Sequence, residues 1–366
     1  MASLNCAASG ALLPDRATVG LGKTPRAIIL GCAGEQLSAD ERSFFGTADP
    51  VGFILFRRNC RAPDQVRDLV AALRSAIGRS DAPILIDQEG GRVVRLRPPS
   101  WRLYPSAARL GSLPDPAAEV AVRLGARLIA DDLRDLGITV DCLPVLDIPI
   151  AGAHPVIGDR AYGTEPGRVT KLARAACHGL LDGGVLPVIK HIPGHGRARV
   201  DSHHVCPVVE TETDELSRTD FAPFRALAAM PWAMSAHIVY RAIDMTAPAT
   251  LSRRVISEVI RGVIGFDGVL ITDDLSMHAL GGDTAERAGR ALAAGCDLVL
   301  HCNADRSEME AIVAGAGPIS TRAAARLTRA EAIRRHRGPQ HFDRREAEEE
   351  FEGLLTGLWG RESGNQ

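Results

Sequence analysis

The feature that most limits the possible folds of this chain is the alternation of short apolar runs with longer amphipathic stretches. Eight runs have the length and composition of buried strands. Amphipathic stretches such as PDQVRDLVAALRSAIG and DTAERAGRALAAG separate them, and several end in Gly, as helices followed by short loops do. The runs are AIILGCA (27–33), GFILF (52–56), APILID (82–87), ITVDCLPVLDI (138–148), LPVIKH (186–191), WAMSAHIV (232–239), GVLITDD (268–274) and CDLVLHC (296–302).

Continuously apolar strands separated by helices indicate a parallel sheet covered by helices. Eight strands are the number that closes a barrel, so we predict an α/β fold, a single (β/α)8 TIM barrel. A doubly wound open sheet is the alternative, and the short first helix, SADERSFFG, fits the barrel least well. No linker rich in Pro, Gly or Ser divides the chain. We therefore expect one catalytic barrel (26–340), a poorly ordered N-terminal extension (1–25) and a C-terminal helix and tail (341–366).

Composition excludes several classes of protein. The 366 residues carry a net charge of −2, and no basic excess indicates a nucleic-acid partner. The eight cysteines are scattered without a C-x-x-C pair, which favours a reducing compartment over a disulfide framework. No signal peptide is recognisable, and no run approaches the roughly 18 apolar residues of a membrane span. We expect a cytoplasmic monomer without membrane partners.

Polar side chains stand at the C-terminal ends of five predicted strands, in LIDQEGGR, VLDI, VIKHIPGHG, MSAHIV and ITDDLSM. Active sites of (β/α)8 barrels are built at these ends, so the convergence of charged groups predicts an enzyme. In ITDDLSM, Asp273 and Asp274 are adjacent on an extended backbone, so only one can face the cavity. Taken alone, the pair is equally consistent with capping of the following helix.

The stretch KHIPGHGRARVDSHH (190–204) holds four of the eleven histidines and one of only three lysines. His191 and His195 have the spacing of a zinc motif, but the intervening Pro and Gly exclude the helix that such motifs require. A metal site is therefore not favoured. Asp201 and His203 share a side of an extended loop, so the carboxylate can orient the imidazole as a general acid–base pair. The alternative is a surface loop with incidental histidines.

The stretch DQEGGRVVR (87–95) places an acid and two bases around a tight turn. Asp87 ends a strand, and Arg92 and Arg95 follow the Gly-Gly pair. Such groups are suited to hydrogen-bonding the hydroxyls of a sugar. They are equally consistent with an ion pair that orders the loop.

The motifs DQEGGRV, GDRAYG, KHIPGHG followed by DSH, SAHIVY and GFDGVLITDDLSM occur together and in this order. In combination they strongly resemble the bacterial β-N-acetylglucosaminidases (β-N-acetylhexosaminidases) of glycoside hydrolase family 3, in particular the single-domain type of peptidoglycan recycling. The resemblance extends from about residue 26 to about residue 304. The chain departs from many relatives at DRAY (159–162) and at Ile192, and it lacks the α/β sandwich domain of larger members.

This resemblance implies a barrel fold and retaining removal of terminal β-linked GlcNAc from muropeptides (GlcNAc-anhydroMurNAc-peptides) through a covalent glycosyl-enzyme. It implies that Asp273 is the nucleophile and that His203 is the acid/base, with Asp201 as its partner. It implies no metal or other cofactor, and sugar binding by Asp87, Arg95, Arg160, Lys190 and His191. Three alternatives remain: a β-N-acetylglucosaminide phosphorylase, a non-catalytic muropeptide-binding protein, and a metal-dependent hydrolase.

Overall fold

The computed structural model describes residues 24–202, 205–277 and 279–359. Within these ranges eight parallel strands close into a barrel, so the predicted (β/α)8 architecture is confirmed. Neighbours in the barrel follow chain order, and the last barrel strand pairs with the first. The strands are Arg26–Leu30 (β1), Pro50–Leu55 (β2), Ile84–Ile86 (β3), Val140–Asp141 (β4), Leu186–Ile192 (β5), Val208–Val209 (β6), Trp232–Ser235 (β7), Val239–Tyr240 (β8), Val269–Asp274 (β9) and Leu298–His301 (β10), of which β6 and β8 pair outside the barrel.

Helices connect the strands and cover the outside of the barrel. A π-helix, Val255–Val263, lies between β8 and β9. Several α-helices begin at a Ser or Asp whose side chain accepts a hydrogen bond from the first turn. The α-helices are Ala39–Ala48 (α1), Pro63–Ala76 (α2), Ala107–Gly111 (α3), Ala117–Asp135 (α4), Pro166–Asp182 (α5), Thr213–Arg218 (α6), Phe221–Ala226 (α7), Thr284–Ala294 (α8), Arg306–Gly315 (α9), Thr321–Arg337 (α10) and Arg344–Trp359 (α11).

Both faces of the barrel strands are buried, which explains their continuously apolar sequences. Alternate residues of β1 pack into two different clusters. Ile29 packs with Leu85 and Leu300 in the barrel interior, whereas Ile28 and Leu30 pack against the surrounding helices. The period of two along each strand therefore builds an inner and an outer core at once.

The first repeat, which fits the barrel pattern least well in sequence, does contain a helix. The Ser38 hydroxyl accepts a hydrogen bond from Glu41 N at 3.1 Å, and the Glu41 carboxylate accepts from Ser38 N at 3.2 Å. The same carboxylate accepts from Ala33 N at 2.8 Å, which ties the start of α1 to the loop after β1. This capping box explains how so short a helix forms.

The apolar run 138–148 is predicted as one long strand, but regular strand covers only β4 at its start. Pro144 has no N–H group, so the ladder cannot continue through it. The chain nevertheless stays beside β5, because Leu146 N donates to Lys190 O at 2.7 Å and Lys190 N donates to Pro144 O at 3.1 Å. This irregular segment brings Asp147 to the C-terminal end of the barrel.

Residues 24–202, 205–277 and 279–359 also show what kinds of helix and cysteine the protein contains in these ranges. None of their helices combines the length and the apolar character needed to cross a membrane. Their seven cysteines are free thiols. Burial raises the pKa of Cys32 and of Cys60 to about 12, so both thiols stay protonated at neutral pH.

Candidate active site

A cavity of about 170 Å³ opens at the C-terminal ends of the barrel strands. Its walls come from the ends of β5 and β9 and from the loops that follow β3, β4 and β5, with single residues from β7 and β10. The structure thus brings six of the predicted site residues together: Asp87, Arg95, Arg160, Lys190, His191 and Asp273. His195 lines the cavity too, as expected of a glycine-rich segment that places Lys190, His191 and His195 around a small polar ligand. Glu89 and Ser202, for which no site role is predicted, also line it.

A larger cavity, of about 660 Å³, lies at the opposite end of the barrel, where Val51, Leu186 and Trp232 stand at the starts of their strands. Its lining residues Arg335 and Arg79 are engaged in ion pairs: Arg335 donates to Glu331 at 2.7 Å, and Arg79 pairs with Asp49, which lies outside the cavity wall. Catalytic groups of (β/α)8 enzymes lie at the C-terminal ends of the strands. The smaller cavity is therefore the candidate active site.

Five charged side chains form one cluster in the wall of this cavity. Lys190 Nζ lies 2.9 Å from Asp87 Oδ1 and 2.6 Å from Glu89 Oε1. Arg160 donates two hydrogen bonds of 2.8 Å to the two carboxylate oxygens of Glu89. Arg95 donates to Asp87 at 3.1 Å. Because every charge in the cluster has an opposite partner, the Lys190 ammonium can be buried.

The turn after β3 builds half of this cluster. Gly90 and Gly91 have φ values of 94° and 57°, in the left-handed region that favours Gly. The turn sends the chain back so that Arg95 faces Asp87. The Gln88 side chain fixes the returning segment by accepting hydrogen bonds from Arg95 N at 2.8 Å and from Leu96 N at 3.1 Å.

The cluster keeps its members ionised. Burial alone would raise the pKa of both carboxyl groups, but the neighbouring cations outweigh it. Lys190 and Arg95 hold the pKa of Asp87 well below its usual range. Arg160 and Lys190 lower the pKa of Glu89 to about 2. Burial lowers the pKa of Lys190, but Asp87 and Glu89 outweigh it, so its pKa is raised overall. At neutral pH the cavity wall therefore presents fixed donors and acceptors.

Asp273 reaches the cavity from the end of β9, whereas Asp274 turns away from it. Asp274 accepts hydrogen bonds from Ser276 Oγ at 2.6 Å and from Cys302 N at 3.1 Å, which closes the turn after β9 and ties it to β10. The two carboxylates thus point apart, as the extended backbone predicts. The capping alternative is wrong for this pair, because Asp283 caps the following helix, α8.

Asp273 is an anion whose side chain is 20% exposed to the cavity. Its Oδ1 accepts a hydrogen bond from Asp274 N at 2.8 Å, and its Oδ2 lies 3.9 Å from His191 Nε2. Burial raises the pKa of Asp273, but His191 and His237 outweigh burial and lower it overall. His237 is itself held between Thr250 Oγ1 at 2.8 Å and the carbonyl of Asp274 at 3.0 Å.

Asp147 holds both histidines of the HIPGH segment. Its Oδ1 accepts hydrogen bonds from the backbone N–H groups of His191 at 3.2 Å and His195 at 2.6 Å. Its Oδ2 lies 2.7 Å from His191 Nδ1, so the other ring nitrogen of His191 is the one that faces Asp273. Burial raises the pKa of Asp147, but His191 outweighs burial, so the pKa is lowered and the carboxylate stays charged.

One ring nitrogen of each of the two histidines is engaged by a neighbouring side chain. His191 Nδ1 is engaged by Asp147, and His195 Nε2 lies 3.2 Å from Ser202 Oγ. Among the residues that the structure describes, no group of three or more His, Cys, Asp or Glu side chains is arranged to hold a metal ion.

The predicted acid–base loop is only partly described. His203 lies outside the described residues, so its pairing with Asp201 stays a prediction. Asp201 is half-buried, and the next residue, Ser202, is buried and lines the cavity. The described part of the DSH motif therefore reaches the edge of the site.

The two arginines of DQEGGRVVR have different positions. Arg95 lines the cavity, whereas Arg92 donates to Asp159 at 2.9 Å and to the carbonyl of Val156 at 2.6 Å. Arg92 thus orders the loop that leads to Arg160. For this residue the loop-ordering interpretation is the correct one.

Glu89, Asp147 and His237 support the site, although the sequence analysis gives them no role. Each of them stands within a strand-end segment that is recognisably polar in the sequence. The polarity of these segments could have identified the three residues as members of the site. Their partners could not be read from it, because these lie on other strands and loops that are distant in the sequence.

The chain matches a known family in sequence. Residues 32–328 match the model of the glycosyl hydrolase family 3 N-terminal domain. A beta-hexosaminidase of Pseudomonas aeruginosa is 39% identical over 306 residues, which cover 82% of this chain and 90% of that relative. A beta-hexosaminidase of Methylococcus capsulatus is 41% identical over 297 residues, which cover 79% of this chain and 87% of that relative.

Solved structures resemble it as well. NagZ from Neisseria gonorrhoeae in complex with N-trifluoroacetyl-D-glucosamine superposes with a TM-score of 0.80 at 33% identity, covering 90% of this chain and 98% of that one. A family 3 beta-N-acetylglucosaminidase from Paenibacillus sp. gives a TM-score of 0.81 at 33% identity, covering 90% of this chain and 66% of that one. The superposed region thus covers nearly all of the NagZ chain.

Proposed function

Because the chain belongs to glycosyl hydrolase family 3 and is a glycoside hydrolase of the β-N-acetylhexosaminidase class, we propose that it is a retaining exo-β-N-acetylglucosaminidase. The sugar bound by the similar NagZ, an N-acylated glucosamine, supports terminal GlcNAc as the group removed. We further propose that the substrates are GlcNAc-containing muropeptides in the cytoplasm. This part rests on the resemblance to the single-domain type of peptidoglycan recycling.

The observation that carries the proposal is the position of Asp273. It is an anion at the end of β9, it lines the cavity, and its neighbour Asp274 is occupied by structural hydrogen bonds. A carboxylate that is held ionised in a partly enclosed cavity is suited to attack an anomeric carbon. We assign Asp273 as the nucleophile.

The charged cluster is assigned to sugar binding. Asp87 and Glu89 supply acceptors for sugar hydroxyls, and Arg95, Arg160 and Lys190 supply donors. A compact ammonium can approach two carboxylates at 2.9 Å and 2.6 Å and still keep a third proton for a ligand, which the planar guanidinium of Arg does not imitate. This accounts for a lysine at position 190 in a chain that otherwise uses arginine almost throughout. His191, held by Asp147, completes the set beside the nucleophile.

The acid/base is assigned to His203, with Asp201 as its partner. In the first step His203 protonates the leaving oxygen while Asp273 attacks the anomeric carbon, which gives a glycosyl-Asp273 ester and a neutral imidazole. In the second step the imidazole takes a proton from water, and the water oxygen displaces Asp273 from the sugar. An imidazole with a pKa near its ordinary value of about 6.5 can serve in both directions. Configuration is retained because the anomeric carbon is inverted twice.

The proposal is tested by release of nitrophenol from an aryl β-N-acetylglucosaminide in phosphate-free buffer with a chelator. We expect turnover in the wild type and a loss of at least about 10⁴-fold in Asp273→Ala. Asp64→Ala is the matched control, because the Asp64 side chain is 96% exposed. Turnover that requires added phosphate would favour the phosphorylase, turnover that requires a divalent metal would favour the metal-dependent hydrolase, and no turnover at all would favour the binding protein.

His203→Ala separates the acid from the nucleophile. We expect a loss of about 10²–10⁴-fold on natural glycosides and a much smaller loss in kcat/KM on strongly activated aryl glycosides, whose leaving groups need little protonation. Equal losses on both kinds of substrate would contradict the assignment of His203 as the acid.

A further inference from the structure

The loop that carries Asp201 is closed at its base by one guanidinium. Arg197, at the start of the loop, donates to Asp220 at 2.7 Å and to Thr219 Oγ1 at 3.1 Å. The same side chain donates to Thr211 Oγ1 at 3.3 Å, on the far side of the loop. The Arg197 side chain therefore ties together residues 197 and 211, on either side of the segment that carries Asp201.

Ser202 is a further point at which the described part of the loop contacts the barrel. Among the described residues from 199 to 205, Ser202 is the one that is buried, whereas Val200 and Val205 are 39% and 57% exposed. Its hydroxyl lies 3.2 Å from His195 Nε2, and its carbonyl accepts a hydrogen bond from Ala279 N at 3.3 Å. The side chain thus bonds to the segment after β5, and the backbone bonds to the segment after β9.

His195 is well placed to fix Ser202, because it is itself fixed on the barrel. Its backbone N–H donates to Asp147 at 2.6 Å, and its ring packs edge-on against the ring of His191, with centroids 5.5 Å apart. Gly196 packs so closely that an added Cβ would lie 1.9 Å from the carbonyl oxygen of Ile148, so the backbone beside His195 has little freedom. Burial and the neighbouring His191 lower the pKa of His195 to about 4, so at neutral pH its ring is an uncharged hydrogen-bonding partner.

We propose that His195 and Ser202 are a pair of positioning residues that hold the Asp201 segment of the loop at the edge of the cavity. Neither residue exchanges a proton with the substrate. Their hydrogen bond fixes the middle residue of the DSH motif and thereby sets where the acid/base group is presented to the leaving oxygen. This inference rests on the proposed function, because it needs an acid/base at position 203.

Ser202→Ala tests the pair with little risk to the fold, since it removes one hydroxyl and keeps the backbone bond to Ala279. The measurement is kcat/KM on two aryl β-N-acetylglucosaminides, one with phenol and one with dinitrophenol as leaving group. Loss of one buried hydrogen bond corresponds to about tenfold. We expect about a tenfold loss on the phenyl glycoside and less than about twofold on the dinitrophenyl glycoside. His195→Phe, which keeps a ring without its nitrogens, should give the same selective loss.

The experiment is completed in the His203→Ala background. If the pair acts through the acid/base, adding Ser202→Ala there should cause no further loss on either substrate. Ser112→Ala, on an exposed hydroxyl of α3's C-terminal end, is the matched control and should change neither rate constant.

Two outcomes would overturn the positioning role. One is an equal loss on both glycosides in Ser202→Ala, and the other is a full additional loss in the His203→Ala background; each would indicate a merely structural hydroxyl. No loss in Ser202→Ala together with a selective loss in His203→Ala would refute the pair alone. Equal losses on both glycosides in His203→Ala itself would instead refute the proposed acid/base, and the positioning role with it.

Discussion

Glu89→Gln tests the buried charge cluster most directly. The substitution keeps the size and shape of the side chain but removes its charge. Arg160 then keeps an acceptor for only one of its two 2.8 Å hydrogen bonds, because an amide NH2 group cannot accept, and Lys190 keeps only Asp87 as a charged partner. Since the Glu89 side chain is 4% exposed, water cannot replace the lost carboxylate.

The size of the effect follows from the charge environment. A pKa lowered from 4.5 to about 2 corresponds to about 3 kcal/mol of stabilisation, at about 1.4 kcal/mol per pKa unit. Removal of one partner from a buried ion pair typically costs about 3–5 kcal/mol. Both arguments predict that Glu89→Gln lowers the free energy of unfolding by about 3 kcal/mol at pH 7.

The pH dependence has a definite sign. Because the pKa of Glu89 is lower in the folded protein, its contribution is complete above about pH 4.5 and is lost as the pH falls towards about 2. The difference between wild type and Glu89→Gln should therefore be largest near pH 7 and should shrink at pH 3. Urea denaturation followed by circular dichroism at both pH values measures it.

Glu349→Gln is the matched control for this experiment. Glu349 pairs with Arg345 at 3.0 Å on α11, but the two side chains are 68% and 89% exposed. An exposed pair of this kind contributes less than about 1 kcal/mol. A loss below about 1 kcal/mol in Glu89→Gln, or a loss equal to that of Glu349→Gln, would refute the argument that the buried cluster stabilises the barrel mouth.

Two further substitutions test other parts of the site. Gly196→Ala should abolish activity and lower the melting temperature, because the new Cβ would lie 1.9 Å from the carbonyl oxygen of Ile148. Gly34→Ala is the control and should do neither, since no atom lies within 4 Å of its new Cβ. Activity in Gly196→Ala equal to that in Gly34→Ala would contradict the packing argument. Asp147→Asn should lower the free energy of unfolding at pH 7 by about 2–4 kcal/mol, since it removes the carboxylate that binds the His191 ring. Because the pKa of Asp147 is lowered in the folded protein, this loss should diminish below about pH 4 in urea denaturation, and a pH-independent loss would argue against a charged carboxylate.

The fold was largely predictable from local patterns. Eight apolar runs at strand length and the helical stretches between them are recognisable without any knowledge of the tertiary structure, because the periods of strands and helices are properties of the backbone. Where the prediction fails, as in the run 138–148, the cause is a residue that pattern alone underweights. Pro144 cannot donate to the ladder, so apolar composition there does not become regular strand.

The site was predictable in kind but not in its internal pairing. The positions of Asp273 and Lys190 at strand ends already indicate groups that converge on one cavity. That Asp274 would bond to Cys302, or that Asp147 would hold His191, depends on which loops pack together around the barrel mouth. Glu89 was missed for the same reason, since its importance comes wholly from Arg160 and Lys190.

The sequence by itself therefore determined the barrel and the residue types gathered at its mouth, because strand and helix periods and polar strand ends are local features. Only the tertiary structure decided which charges neutralise one another. Lys190 bonds to Asp87 across 103 residues, and Arg160 bonds to Glu89 across 71 residues. Such partners meet only once parallel strands close into a ring, and this closure sets the pKa values of the charged groups and the hydrogen-bond donors that line the cavity.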